Sequence, residues 1–350
     1  MTGIKIREPE FFQRRGTMII AEIGVNHDGS VDRALELVRA AADCGVDAVK
    51  TQVFRANRLL HASSALAEYQ KGSNPDQSPM EMLRRYELDE AGLRRIVAEI
   101  KRLGMMPLAT PFSVGDVEVI ESLSLPAIKI ASPDVVNWPL LERSARAGVP
   151  LLVSTGAANL NEITSSIAWL RGWGAQFALL HCISGYPTPA ADANLCWIME
   201  LSRRFNVPVG FSDHTTETIS GALAVASGAV ILEKHLTHDR AADGPDHAAS
   251  LDPEGFAEYV RLVRLAGRMR GTGARRVLEI EREVRQVSRQ SIVALRDLPA
   301  GHRIGPLDLQ VQRPGTGIPA SAWPAIIGRR TSHAIRAGEM LSWQALSDAA

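Results

Sequence analysis

The chain has 350 residues, and its 39 Lys and Arg balance 39 Asp and Glu, so no net positive field favours nucleic acid or an anionic membrane. The opening MTGIKIREPEFFQRRG has no apolar signal core, and no later apolar run is long enough to span a bilayer. Cys44, Cys182 and Cys196 are odd in number and widely spaced, with no CxxC pair, which suits the free thiols of a reducing cytoplasm.

Met18–Gly24 (MIIAEIG) predicts the first strand, and 26–30 (NHDGS) a turn opening a helix with Leu35 and Val38 on its buried face. Residues 47–52 (DAVKTQ) form the second strand. Residues 53–88 are too polar and irregular for core and predict a functional insertion, a lid or substrate wall, or else a disordered loop. Asp89 caps a helix with Leu93, Ile96, Val97, Ile100 and Leu103 inward, stopped by Gly104. The rhythm repeats at 106–112, 127–132, 151–156 and 177–184, each strand followed by helical periodicity. The helix after the third strand opens at Ser113, with Asp116 as capping-box partner.

Residues 208–236 organise the rest. They read PVGFSDHT, TETISGALAVASG and AVILEKHL: two strands around a small-residue helix whose apolar side carries Ile219, Leu223 and Val225. One helix between two strands makes them parallel and brings their carboxyl ends to one edge. Counting the opening pair, eight strands alternate with helices over about 250 residues, the span of a closed (β/α)8 TIM barrel. An open doubly wound sheet is the alternative, but no GxGxxG follows the first strand.

The last barrel helix begins at Asp252-Pro253 and runs through Phe256, Val260 and Val263 toward Gly271. The expected organisation is an α/β barrel domain over 1–270, a charged linker over 271–288, and a small β-rich domain over 289–350. The last contains Ile292, Val293, Leu298, Ile304, Leu309, Ile326 and Ile327, a core modest enough to need a partner surface.

Chemistry in such a barrel sits at the carboxyl ends of the strands. There the chain places Glu22, Lys50, Gln52, Thr110, Lys129, Ser132, Ser154, Ser184, Ser212, His214, Glu233 and His235. His214 and His235 end neighbouring strands, and Glu233 lies two residues from His235 on the same side, the makings of a catalytic divalent-metal site. Lysines near a barrel axis are costly to desolvate unless they meet an anion, so Lys50, Lys129 and the hydroxyls suit a phosphorylated acid. Glu22 is the candidate general acid/base, or a salt bridge to Lys50. His27 and His181 read as structural, holding loops by hydrogen bonds.

AEIGVNHDGS, KTQVF, ATPFS, STG, LLHCISGYPTP, GFSDHT, ILEKHLTHDR and GPD, then QRPGTGI, resemble the sialic acid (N-acetylneuraminate) synthases over essentially the whole chain. The C-terminal stretch is similar to their antifreeze-like (SAF) module. The resemblance implies condensation of phosphoenolpyruvate with an N-acetylated amino-sugar aldehyde, N-acetylmannosamine or a related diacetamido hexose, giving a nonulosonic acid and phosphate. It implies a divalent metal, most often manganese, on His214 and His235. It assigns Lys50, Thr110, Lys129, Ser132, Ser154, Ser184 and Ser212 to phosphoenolpyruvate, and Glu22 and Glu233 to catalysis. Gln52, Asn74, Tyr186 and Asp246 resemble the sugar contacts. Asp134 joins them because Ser132-Pro133-Asp134 departs from the glutamate and small residues of many sialate-forming members. Arg313 of RPGTG is implied to reach the partner's sugar in a domain-swapped homodimer. A legionaminate-type acceptor remains open, as do a Schiff-base aldolase and a non-catalytic carbohydrate-binding protein using the SAF module.

Overall fold

The computed structural model describes residues 16–61, 64 and 78–347. The chain divides into two compact units, Met1–Gly271 and Thr272–Ala350.

The first unit is a closed parallel barrel of eight strands. They are β1 (Met18–Gly24), β2 (Ala48–Val53), β3 (Met106–Pro111), β4 (Ile128–Ile130), β5 (Leu151–Ser154), β6 (Phe177–Cys182), β7 (Val209–Asp213) and β8 (Ile231–His235). β1 closes the ring by pairing with both β2 and β8. Side chains alternate across the wall with period two. Outward positions such as Ile19, Val49, Val153 and Leu232 pack under the helices, whereas Met18, Ile20, Ala48, Leu108, Leu152, Ala178, Leu180 and Ile231 fill the barrel interior. That apolar plug floors a polar layer at the carboxyl ends.

The outer helices are α1 (Val31–Asp43), two short insertion helices α2 (Ala56–Leu59) and α3 (Pro79–Arg84), α4 (Glu90–Arg102), α5 (Val114–Ser122), α6 (Trp138–Arg146), α7 (Leu160–Gly172), α8 (Cys196–Phe205), α9 (Ser220–Ala226) and α10 (Pro253–Arg270). Their starts follow capping chemistry: Asp89 accepts from the Gly92 N–H at 2.7 Å and Asp252 from the Gly255 N–H at 2.8 Å. Ser113 does not cap α5 by its side chain. Its hydroxyl donates to Asp116 at 2.6 Å instead, since the carboxylate competes for it.

Three expectations need correction. The face of α9 that packs is Gly221, Ala224 and Val225, while Ile219 and Leu223 are exposed, because only small residues let α9 approach α10. The 53–88 insertion is partly core: Phe54, Met82 and Tyr86 are buried with Val25. The stretch expected to be a linker contains a helix, α11 (Glu279–Ser288), with no buried residue. Several strands also end one or two residues earlier than expected, so that Ser132 opens a 3-10 turn, Ser132–Val136, beyond β4.

The second unit holds two antiparallel two-stranded sheets, β9 (Ser291–Ala294) with β10 (Leu309–Gln312) and β11 (Arg330–Thr331) with β12 (Leu346–Ser347). Its core gathers Ile292, Leu298, Ile304, Leu309, Ile318, Ile326, Ile335 and Leu341.

Candidate active site

The register of the barrel sets the site. Glu22 pairs across the wall with Lys50 on one side and His235 on the other, Gln52 with Thr110, and Ser212 with Glu233. These inward side chains sit above the apolar plug, toward the carboxyl ends of the strands.

Lys50 is the centre of the charge network. Its ammonium lies 2.6 Å from Glu22 Oε2 and 3.9 Å from Glu233 Oε2, and donates to Thr110 Oγ1 at 2.9 Å. Lys129 lies 3.6 Å from Glu233 Oε1 and donates to the Ile130 carbonyl at 3.0 Å. Ser212 donates to Glu233 Oε1 at 3.1 Å, and Gln52 to Glu22 Oε1 at 3.1 Å.

Burial acts on all four charges, and the neighbours decide the outcome. Glu22 stays above the usual carboxylate range because desolvation outweighs the pull of Lys50. Burial also pushes Glu233 up, but Lys129 and Lys50 together bring it below its ordinary value. Lys50 is raised, its carboxylate neighbours overcoming the burial that would lower it. Lys129 is lowered, since Glu233 offsets only part of its burial.

Beside this network the two histidines stand with ring centroids 5.4 Å apart. The Tyr186 ring lies against His214 at 4.0 Å, tilted by 31°, and meets His235 edge-on at 5.9 Å. His214 donates through Nδ1 to the Ile183 carbonyl at 2.9 Å, which fixes its tautomer. Among the described residues the buried Nδ1 of His235 has no hydrogen-bond partner, and Asp246 Oδ2 lies 3.6 Å away. Burial, reinforced by the Glu22 charge, pushes Asp246 up to about 6.

The hydroxyls cluster on the opposite arc. The Gly156 N–H donates to Ser132 Oγ at 3.1 Å, and the Ser154 hydroxyl is buried without a partner among the described residues. Gly156 is pressed so closely that a Cβ there would lie 2.4 Å from Ser184 Oγ and 2.8 Å from Ser132 Oγ. Asp134 accepts from the Asn137 amide at 2.8 Å in the turn after β4. Asn74 lies outside the described residues, and Arg313 belongs to the second unit.

His27 and His181 hold loops: the Gly29 N–H donates to His27 Nδ1 at 3.0 Å, and His181 Nε2 donates to the Ala193 carbonyl at 2.8 Å. Sequence reasoning missed Cys182, whose Sγ lies 3.7 Å from His214 Nδ1. The period-two pattern of LLHC could have found it, since Cys182 faces inward where His181 faces out.

The chain matches a known family. A model of the NeuB family matches residues 37–275, and one of the SAF domain matches 289–347. The chain belongs to the NeuB family. It is 39% identical over 332 residues to an N,N'-diacetyllegionaminic acid synthase of Legionella pneumophila, covering 93% of both chains. It is 32% identical over 284 residues to the human N-acetylneuraminate-9-phosphate synthase, covering 81% of this chain and 79% of that one. Its structure resembles the N-acetylneuraminic acid synthetase of Leptospira borgpetersenii with a TM-score of 0.70 and 31% identity, over 77% of this NeuB chain and 90% of the other. The expected barrel and C-terminal SAF domain are therefore both present.

Proposed function

We propose that the protein condenses phosphoenolpyruvate with an N-acetylated amino-sugar aldehyde, releasing phosphate and a nonulosonic acid. The observation that carries this reading is the buried pairing of Lys50 and Lys129 with Glu22 and Glu233 at the barrel mouth, beside the Ser132, Ser154 and Ser184 hydroxyls. Two buried ammonium groups and a hydroxyl arc suit a phosphate, and two carboxylates beside them suit proton transfer. In the reaction, C3 of phosphoenolpyruvate bonds to the aldehyde carbon, and water adds to C2. The C2–O bond to phosphorus then breaks, leaving the ketone. Glu22 and Glu233 take the proton released by water and return one to the sugar oxygen. Lys50 and Lys129 stabilise the departing phosphate.

His214 and His235 would hold a divalent cation, and manganese fits their imidazoles. The fit rests on the buried unpartnered Nδ1 of His235 and on His214 being fixed through its own Nδ1. Among the described residues no three His, Cys, Asp or Glu side chains cage an ion, so substrate or water oxygens would complete the shell. Such an ion polarises the aldehyde oxygen when bound.

Gln52, Tyr186, Asp246 and Asp134 line the sugar side in this reading. The partner subunit's Arg313 completes it in a two-fold, domain-swapped dimer. Residues 272–350 carry eleven arginines and no lysine against seven acidic residues, so the barrel is acidic to the same extent and complements the module electrostatically. The 39% identity to a diacetyllegionaminic acid synthase favours a diacetamido hexose over N-acetylmannosamine.

The test is phosphate release over N-acetylmannosamine, its 6-phosphate and 2,4-diacetamido hexoses, with oxygen-18 in the C–O–P bridge. Label leaving with phosphate supports the reaction written above. Label kept in the keto acid, or no release with any acceptor, overturns it.

A further inference from the structure

Outward positions on the barrel strands are apolar at Ile19, Val49, Ile130, Leu179 and Phe211, where the wall meets the helices. The ends of β7 and β8 break that pattern. Asp213 and Lys234 pair in register, and neither exposes any surface. They face away from the barrel interior, because Ser212, His214, Glu233 and His235 on either side of them face into it.

The pair is tightly built. Lys234 Nζ lies 3.0 Å from Asp213 Oδ2 and donates to the Thr215 carbonyl. Asp213 also accepts from the Thr215 N–H at 2.8 Å and from the Ser220 hydroxyl. The Tyr259 ring, centred 5.7 Å from Nζ, closes the outside, and it presses on α9 so that a Cβ on Gly221 would lie 2.4 Å from the ring.

An apolar pair of the same volume would hold β7 to β8 at least as well, because burying two charges incurs a desolvation penalty that their attraction need not recover. Stability alone therefore gives no reason for ions here. Ions and hydrogen bonds are directional where apolar contacts are not. These hold the backbone of Thr215, just after His214, and join the side chains of the residues preceding His214 and His235.

We infer that the Lys234–Asp213 ion pair is a positioning device that sets the spacing and orientation of the His214 and His235 rings. Its use to the protein rests on the proposed role of those histidines as cation ligands. The positioning itself does not.

The test uses the full chain with Lys234→Met and Asp213→Leu combined, and Ser220→Ala as a milder variant that keeps both ions. The double variant should fold, at some cost in melting temperature because the buried Thr215 N–H and carbonyl lose their partners. Its crystal structure should show the two rings displaced from their 5.4 Å separation. Manganese alone, titrated into metal-free protein and followed by electron paramagnetic resonance, should bind about 10–100-fold more weakly, the usual effect of losing outer-shell support. Ser220→Ala should weaken manganese binding by a smaller factor. Wild-type ring geometry in the folded double variant overturns the inference. If wild type binds no manganese, or His235→Ala binds it as tightly, the cation reading fails, and the ring separation still decides the positioning claim.

Discussion

Gly156→Ala places a methyl group against the hydroxyl arc. Its carbon would lie 2.4 Å from Ser184 Oγ, 2.8 Å from Ser132 Oγ and 3.1 Å from Cys182 Sγ. Relief to an ordinary contact of about 3.5 Å needs shifts of roughly 0.5–1 Å in all three neighbours. The two serines can rotate away, so the loss of stability should sit at the low end for overpacking, about 1 kcal/mol. Rotation takes the hydroxyls off the phosphate, however. One or two hydrogen bonds to a charged group, at about 1.5 kcal/mol each, amount to about 1.5–3 kcal/mol, or roughly a 10–150-fold rise in KM for phosphoenolpyruvate. The assay is initial-rate phosphate release at saturating acceptor, beside a thermal melt. Gly185→Ala is the control, since its Cβ would meet nothing closer than 3.7 Å. An unchanged KM in Gly156→Ala, or an equal rise in the control, would refute the assignment of this arc to phosphate.

Lys50→Met should lower stability by about 3–5 kcal/mol by leaving the buried Glu22 uncompensated, while Glu233 keeps Lys129, and adding Glu22→Gln should recover part of that without activity. Denaturant titration decides it, and a double variant no more stable than the single would remove the ion pair as the cause. Chelation should abolish turnover and manganese restore it, with His235→Ala inactive but melting within about 3 °C of wild type. Full turnover in chelated protein would sink the metal assignment. Mixing His214→Ala with Arg313→Ala through unfolding and reassembly should return about a quarter of wild-type activity, since half the dimers are mixed and one of their two sites is intact. No recovery, with hybrid dimers confirmed by mass, would exclude the swapped arrangement. In the second unit, burial would raise Asp308, but hydrogen bonds from the Gly305 N–H, His302 and Arg296 hold it down to about 2. A depressed carboxylate stabilises above its unfolded value and loses that contribution as pH falls from about 4 toward 2. Melting of Asp308→Asn should therefore fall less steeply than wild type across that window.

The repeating strand and helix rhythm determined the barrel before any coordinate was known, because period two and helical periodicity are local records of which face is buried. The same alternation put Glu22, Lys50, Lys129, Ser212, His214, Glu233 and His235 on one rim, since parallel strands share their carboxyl edge. Tertiary structure decided the rest. Which carboxylate meets which lysine depends on closure of β1 against β2 and β8, a relation spanning most of the chain. The α9 face was misread because its packing is set by how closely Gly221 lets Tyr259 approach, and apolar character alone does not encode closeness. Phe54, Met82 and Tyr86 read as loop because their cluster draws on Val25 from a distant turn. Asp213 and Lys234 read as two more polar strand-end residues. Only the pleat, which turns them outward while their neighbours turn in, separates the pair from the site it adjoins.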